Sequence, residues 1–162
     1  CFFGIIYSIF HIIFWKMSLK KNENIKIELG KSVIVLDNEE EDNDSYLIDF
    51  EYLKEKNSDT VGYLEVENTD ISYVVVKGND NSYYLKHNFD KQYSVAGWIF
   101  ADYRNILDGS DKNIVIYGHN MRDGSMFGSM QNIVKKKWYE NASNYKITLS
   151  TEMGNYQYQI SL

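Results

Sequence analysis

Proline is absent from all 162 residues, where an average usage of about 5% would give roughly eight; we read this as compositional bias with no mechanism behind it. Cysteine is almost as scarce. Cys1 stands alone, which excludes an intramolecular disulfide framework and any multi-cysteine zinc site. Basic charge is in deficit, with 17 Lys and Arg against 23 Asp and Glu and a formal net charge of −6. That balance argues against a nucleic-acid partner, because such proteins carry a basic face or stripe. Apolar and aromatic residues are plentiful: 44% of the chain is hydrophobic and 15% aromatic, including 14 Tyr. This suits strands and a half-wet groove. With 25% charged residues the chain sits near the globular average and is not disordered overall. Its length fits one domain, at ~100–200 residues per domain.

Residues 1–15, CFFGIIYSIFHIIFW, contain no Asp, Glu, Lys or Arg. A helix of that length reaches about 22 Å at ~1.5 Å per residue, short of a ~30 Å hydrocarbon core; about five more apolar residues upstream would complete a span. Trp15 and Lys16 mark an interface. KMSLKK offers no small-residue cleavage signal, so an uncleaved anchor is expected. The competing reading is a buried core helix, but the run is apolar on every side. We therefore expect a partial transmembrane anchor over 1–16, single-pass, with His11 inside it as a packing or lipid-facing residue. A polar and acidic linker is expected over 17–44. Its NEEEDND stretch at 38–44 has no apolar residue and lacks the spacing of a calcium loop. Ser45 can cap a short helix with Tyr46, Phe50 and Leu53 on one face, ending near Asn57.

From Val61 the period turns strand-like. Val61–Val66 and Ile71–Lys77 read as strands around a turn at 68–70. GNDNS at 78–82 is a turn cluster, and Tyr83–Leu85 begins a short helical or irregular piece. Gly97–Ala101 and Asn113–Tyr117 are apolar runs suited to buried strands. Ser125 can cap a helix presenting Met126, Phe127, Met130, Ile133 and Val134 on one face. Tyr145–Leu149 and Tyr156–Ile160 alternate as a hairpin around Glu152–Asn155. The expected fold is mainly β with short helices. A barrel is attractive because it removes exposed strand edges.

Few residues can carry chemistry. His119 follows the strand NIVIY and a glycine, and precedes a polar loop. A histidine at a strand exit is held rigidly yet opens to solvent, which suits acid–base work. Taken alone, such a histidine is more often structural, and no second His or Cys lies at ligand spacing for a metal. His87 has no comparable setting. Asp102 and Arg104 can pair across a strand end, an ordinary ion pair worth little if exposed.

Three phrases occur in order between about Val61 and Ile160: VGYLEVENTDISYVVVKGNDNSYYLKHNF, GWIFADYRN and NIVIYGHNMRDGSMFGSM. Together they resemble the class B sortases, membrane-anchored cysteine transpeptidases of Gram-positive bacteria. One departure is Tyr73-Val74, where that family often has Tyr-Pro. The resemblance implies a sortase-like β-barrel, incomplete in this chain and preceded by an N-terminal membrane anchor and a short helix. The N-terminal part of the catalytic domain would occupy 45–162. It also implies a function: a cysteine protease that cuts a C-terminal sorting signal of secreted proteins. A thioacyl intermediate then links them to an amine of a peptidoglycan precursor or crossbridge. By the same resemblance His119 is the catalytic histidine, and Asn81 and Leu85 line the sorting-signal groove. No cofactor, metal or nucleic acid is expected. The expected location is the cell membrane, with the catalytic domain on the extracellular face.

The resemblance further implies that the nucleophilic cysteine and the arginine of the family lie beyond Leu162. Cys1 falls in the apolar run, far from His119. Thr148–Glu152 reads like a Thr-Leu-x-Thr-Cys signature with Glu in place of Cys, but the surrounding alternation is that of a hairpin. The chain as given is thus expected to fold poorly and to be inactive. Two alternatives remain open: a catalytically inactive fragment, and a membrane-anchored β-domain that binds peptides or cell-wall ligands.

Overall fold

A long helix, α1 (Phe2–Leu29), opens the structure, a computed structural model that describes residues 2–36 and 45–160. The two halves of α1 differ. Phe3, Ile5, Ile6, Tyr7 and Phe10 are exposed in the first half, while Asn22, Ile25 and Leu29 are buried in the second. The spacing of three and four puts those three on one face. Residues 17–29, assigned to the linker from their polarity, therefore continue the helix. Their buried stripe is only three residues wide and is hidden in sequence among Lys, Asn and Glu. Among the described residues no helix is long and apolar enough to cross a membrane. The acidic stretch 38–44 lies outside the described residues.

A short 3-10 turn leads from α1 into β1 (Val33–Leu36), which pairs antiparallel with β2 (Ser45–Ile48). Helix α2 (Phe50–Lys56) follows. Its N-cap is Asp49, whose carboxylate accepts the Tyr52 amide at 2.9 Å. The expected cap, Ser45, belongs instead to β2, because Tyr46, Leu47 and Ile48 pair with Val35, Ile34 and Val33.

The main sheet contains β3 (Thr60–Val66), β4 (Ser72–Val76), β5 (Phe100–Ala101), β6 (Ile116–Tyr117), β7 (Lys146–Thr151) and β8 (Gly154–Gln159). Their order is β6-β5-β4-β3-β7-β8. Neighbours are antiparallel except β4 and β5, which run parallel. The expected barrel is thus observed as an open mixed sheet, a half-barrel with β6 and β8 at its edges. Tyr73, Val74, Val75 and Val76 of β4 are all buried, as expected of a strand covered on both faces. Trp98 packs beside them and donates its indole N–H to the Val74 carbonyl at 2.8 Å.

Two apolar runs yield less strand than their composition suggests. Gly97 has φ +56°, and within the run 97–101 only Phe100 and Ala101 form strand. The run 113–117 pairs only at Ile116 and Tyr117. The helix expected from Ser125 is also corrected. Met126 has φ +53°, which no helical first turn tolerates. The Ser125 hydroxyl bonds the Asp123 carboxylate instead. A 3-10 segment runs Gly128–Asn132, and Val134 is exposed. The β7–β8 hairpin matches the alternation, with Ile147 opposite Tyr158 and Leu149 opposite Tyr156. Glu152 sits in its turn and pairs with Lys54 of α2.

Trp98 is almost fully buried, so Trp98→Ala should destabilise the fold by about 3–5 kcal/mol. Urea unfolding followed by circular dichroism measures this.

Candidate active site

Tyr117 and His119 lie two residues apart on extended chain, so their side chains leave on the same side. Gly118 faces the other way. A Cβ there would collide with Ile99 Cδ1 and lie 2.9 Å from Phe127 Cδ2. Glycine lets this segment sit flat on the core, which turns His119 outward.

The chain beyond His119 is pinned. Asn120 forms an isolated bridge with Met126, and the Phe127 amide donates to the His119 carbonyl at 3.0 Å. The Met126 amide donates to the Tyr73 hydroxyl at 3.0 Å. Burial pushes the Tyr73 phenol up to about 12, so it stays neutral through physiological pH. The left-handed Met126 is thus fastened directly to β4.

The imidazole is half-buried, and its Nε2 lies 2.9 Å from the Leu85 carbonyl oxygen. A carbonyl only accepts, so Nε2 carries the proton in the neutral ring and Nδ1 keeps the lone pair. Leu85 closes the 3-10 turn Tyr83–Leu85, and its side chain packs against the core. The structure thus brings Leu85 to His119 through the Leu85 backbone carbonyl.

Asn81 lies in a second cluster centred on Asp102. The Asp102 Oδ2 accepts the Asn81 amide at 2.8 Å, the Tyr117 hydroxyl at 3.0 Å and the Arg104 Nη2 at 2.8 Å. Its Oδ1 accepts the Arg104 backbone amide at 2.9 Å and Nε at 2.8 Å. The Arg104 guanidinium is the main reason this carboxyl lies well below the usual carboxylate range. In return Asp102 raises the Arg104 pKa, and its hydrogen bond raises that of the Tyr117 hydroxyl. The Asn81 Oδ1 accepts the Tyr103 amide at 3.1 Å. Both ends of the Asn81 amide are thus engaged, with one N–H and one lone pair left over. The expected Asp102–Arg104 pair is present, but the carboxylate is buried and serves five donors. Tyr117 was not singled out from sequence; its place two residues before His119 was the available signal.

A cleft of about 400 Å³ lies between α1 and the 123–125 loop. Its lining mixes Lys20 and Lys26 with Glu23, Asp70 and Asp123, and His119 is not part of it. Among the described residues no three His, Cys, Asp or Glu side chains converge on a metal position. Cys1, the one cysteine of the sequence, lies outside the described residues. The described site thus offers an imidazole and hydrogen-bonding groups, and none of its described side chains is a thiol.

No protein-family model matches the chain. It is 39% identical over 108 residues to sortase B of Listeria monocytogenes, covering 67% of this chain and 43% of that protein. It is 33% identical over 111 residues to sortase B of Staphylococcus aureus, covering 68% of this chain and 45% of that protein. The chain thus spans less than half the length of these curated relatives. Among solved structures it resembles sortase B from Bacillus anthracis in complex with AAEK1, with TM-score 0.74 and 30% identity over 88% of this chain and 66% of that one. It also resembles Clostridium perfringens sortase B, with TM-score 0.63 and 39% identity over 68% of this chain and 59% of that one.

The depressed Asp102 pKa gives a pH signature. Its stabilisation is complete above the unfolded-state value of about 3.9 and is lost as pH falls through the lower native value. Asp102→Asn should therefore lower stability at neutral pH, and its deficit should shrink below about pH 4. Urea midpoints of both proteins at neutral and acid pH test this.

Proposed function

The chain belongs to the sortase B family, and on that premise we propose that it supplies the histidine and part of the peptide groove of a cysteine transpeptidase. The observation that carries this reading is the His119 Nε2–Leu85 carbonyl bond. It leaves a lone pair on Nδ1, on a ring fixed by backbone and turned out of the core.

The chemistry follows from that atom. A cysteine thiol transfers its proton to the imidazole, and the thiolate attacks the carbonyl carbon of a threonine in a sorting signal. The tetrahedral oxyanion collapses, and the C–N bond breaks. The imidazolium hands its proton to the departing amine, leaving a thioester. An amine of a peptidoglycan precursor or crossbridge then attacks that thioester. The imidazole takes the amine's proton and returns it to the departing thiolate. The two halves balance, with one peptide bond broken and one formed. The thiol, and an arginine to steady the oxyanion, belong to residues other than those described; we place them in the part of the family sequence that follows His119 and the β7–β8 hairpin.

Asn81 and Leu85 are proposed to line the groove for the sorting signal. Asn81 has one amide hydrogen and one lone pair free, enough for a single peptide contact in each direction. A solved S. aureus sortase B–substrate complex resembles this chain, which supports a substrate site in this fold.

The apolar half of α1 supports a membrane location. Its Phe and Ile side chains are exposed on every side of the helix, which water disfavours and lipid does not. We propose that 1–16, completed by apolar residues upstream, hold the protein in the cytoplasmic membrane with the sheet domain outside.

Residues 1–162 alone should cleave no sorting-signal peptide. In the longer protein with its thiol, His119→Ala should lower transpeptidation by about 10²–10⁴-fold with the fold intact; a peptide cleavage assay with circular dichroism reads both. Protease added to protoplasts should digest the sheet domain while the N-terminal segment sediments with membranes. Soluble protein, or a shielded domain, would refute the location.

A further inference from the structure

Helix α1 reaches the backbone that holds His119. Asn22 is buried on its packed face, and its Nδ2 donates to the Ser94 hydroxyl and to the Gly97 carbonyl, each at 3.0 Å. Gly97 has φ +56°, and a Cβ on it would lie 2.8 Å from the Leu85 oxygen and 2.9 Å from the Leu85 carbonyl carbon. The turn 94–98 therefore lies directly against the Leu85 peptide. It also binds the carbonyls on either side: the Trp98 amide takes Tyr84 O at 2.9 Å and the Ser94 amide takes Lys86 O at 2.8 Å. The Leu85 carbonyl between them is left for His119 Nε2 at 2.9 Å.

Asn22 is a poor choice for docking a helix. Its Oδ1 is buried with no hydrogen-bond partner among the described residues, a desolvation that nothing repays. An apolar side chain of the same size would pack the helix without that cost. Its donated bonds to Ser94 and Gly97 are what an apolar residue would lack.

We propose that Asn22 of α1 is a positioning residue for His119. It holds the 94–98 turn, the turn fixes the Leu85 carbonyl, and that carbonyl keeps the imidazole proton on Nε2 and the lone pair on Nδ1. This rests on the reading of His119 as the proton carrier. It adds that the N-terminal helix sets the tautomer, so that docking of α1 and readiness of the base are one event.

The test needs no substrate. The longer protein is prepared with 15N-labelled histidine, and the His119 resonances are identified by their loss in His119→Gln. Long-range 15N–1H spectra above the imidazole pKa report which nitrogen carries the proton. The unmodified chain should show His119 with the proton on Nε2. In Asn22→Leu the helix stays packed, and the ratio of the two neutral tautomers should shift toward Nδ1–H by about 2- to 10-fold, the worth of one hydrogen bond. Asn22→Ala takes its place if leucine is not accommodated, with circular dichroism as the check on folding. Lys21→Ala, which removes only a surface contact to Gln92, should leave the ratio unchanged. A proton on Nδ1 in the unmodified chain, or an unchanged ratio in the folded Asn22 variants, overturns the inference. An unchanged ratio in the Asn22 variants leaves the catalytic reading standing, a proton on Nδ1 in the unmodified chain also removes the bond that carries that reading, and the catalytic reading falls by itself if turnover survives His119→Ala.

Discussion

Strand β4 is the constraint on which the rest depends. It is buried from Tyr73 to Val76, with β3 on one side and β5 on the other. A strand covered on both faces cannot shift register without exposing one set of side chains and burying unpaired backbone. Its carbonyl at Val74 anchors the Trp98 indole, and its Tyr73 hydroxyl anchors the Met126 amide. Both anchors lead to the site: Trp98 follows the turn that lies against Leu85, and Met126 closes the loop that follows His119. Residues on three separate segments are thereby located relative to one strand.

The polar part of the site follows a different logic. Asp102 is buried, yet its partner Arg104 is largely exposed. A carboxylate withdrawn from water is costly unless its lone pairs are filled, and here five donors fill them. The pair is thus more than an exposed ion pair of little worth. Its effect is to fix the Asn81 amide and the Tyr117 hydroxyl as well, so that the groove proposed at Asn81 would carry oriented dipoles on a rigid base. Side chains oriented in advance add no ordering cost of their own when a ligand binds.

What was legible in the sequence was local and periodic. The Val-rich strand, the alternation of Tyr and aliphatic residues in β7 and β8, and the strand-exit position of His119 all follow from residue order. The significance of His119 came from resemblance; its setting alone left it ambiguous. What escaped were features set by single backbone angles or by contacts distant in sequence. Nothing local shows that Met126 is left-handed, since its conformation is held by Tyr73, far away in the chain. The same holds for Gly97, which opens a five-residue apolar run that yields only a two-residue strand. The second half of α1 escaped because three buried residues in a polar helix give too weak a stripe to separate from a linker. Asn22 escaped for a sharper reason: an asparagine beside lysines looks like solvent-facing polarity, and only its distance to Gly97 shows otherwise.

That long helix joins two environments with one rigid element. Between Ile5 and Leu29 it contains no glycine or proline, so nothing in its sequence provides a hinge. Its exposed apolar half and its packed polar half must therefore move together. On the proposed membrane reading, the depth at which the first half rests in lipid fixes the place of Asn22. Ser18 meets Ser94 at 3.3 Å, and Phe14 stacks on Tyr93 with centroids 6.3 Å apart, so contact with the 93–97 turn begins at the end of the apolar run. The turn that lies against the Leu85 carbonyl thus sits between the helix and His119. A helix tied so closely to the active-site backbone would orient the domain and also hold the base in one tautomer. A flexible tether could do neither, because it would transmit no geometry from the membrane to the site.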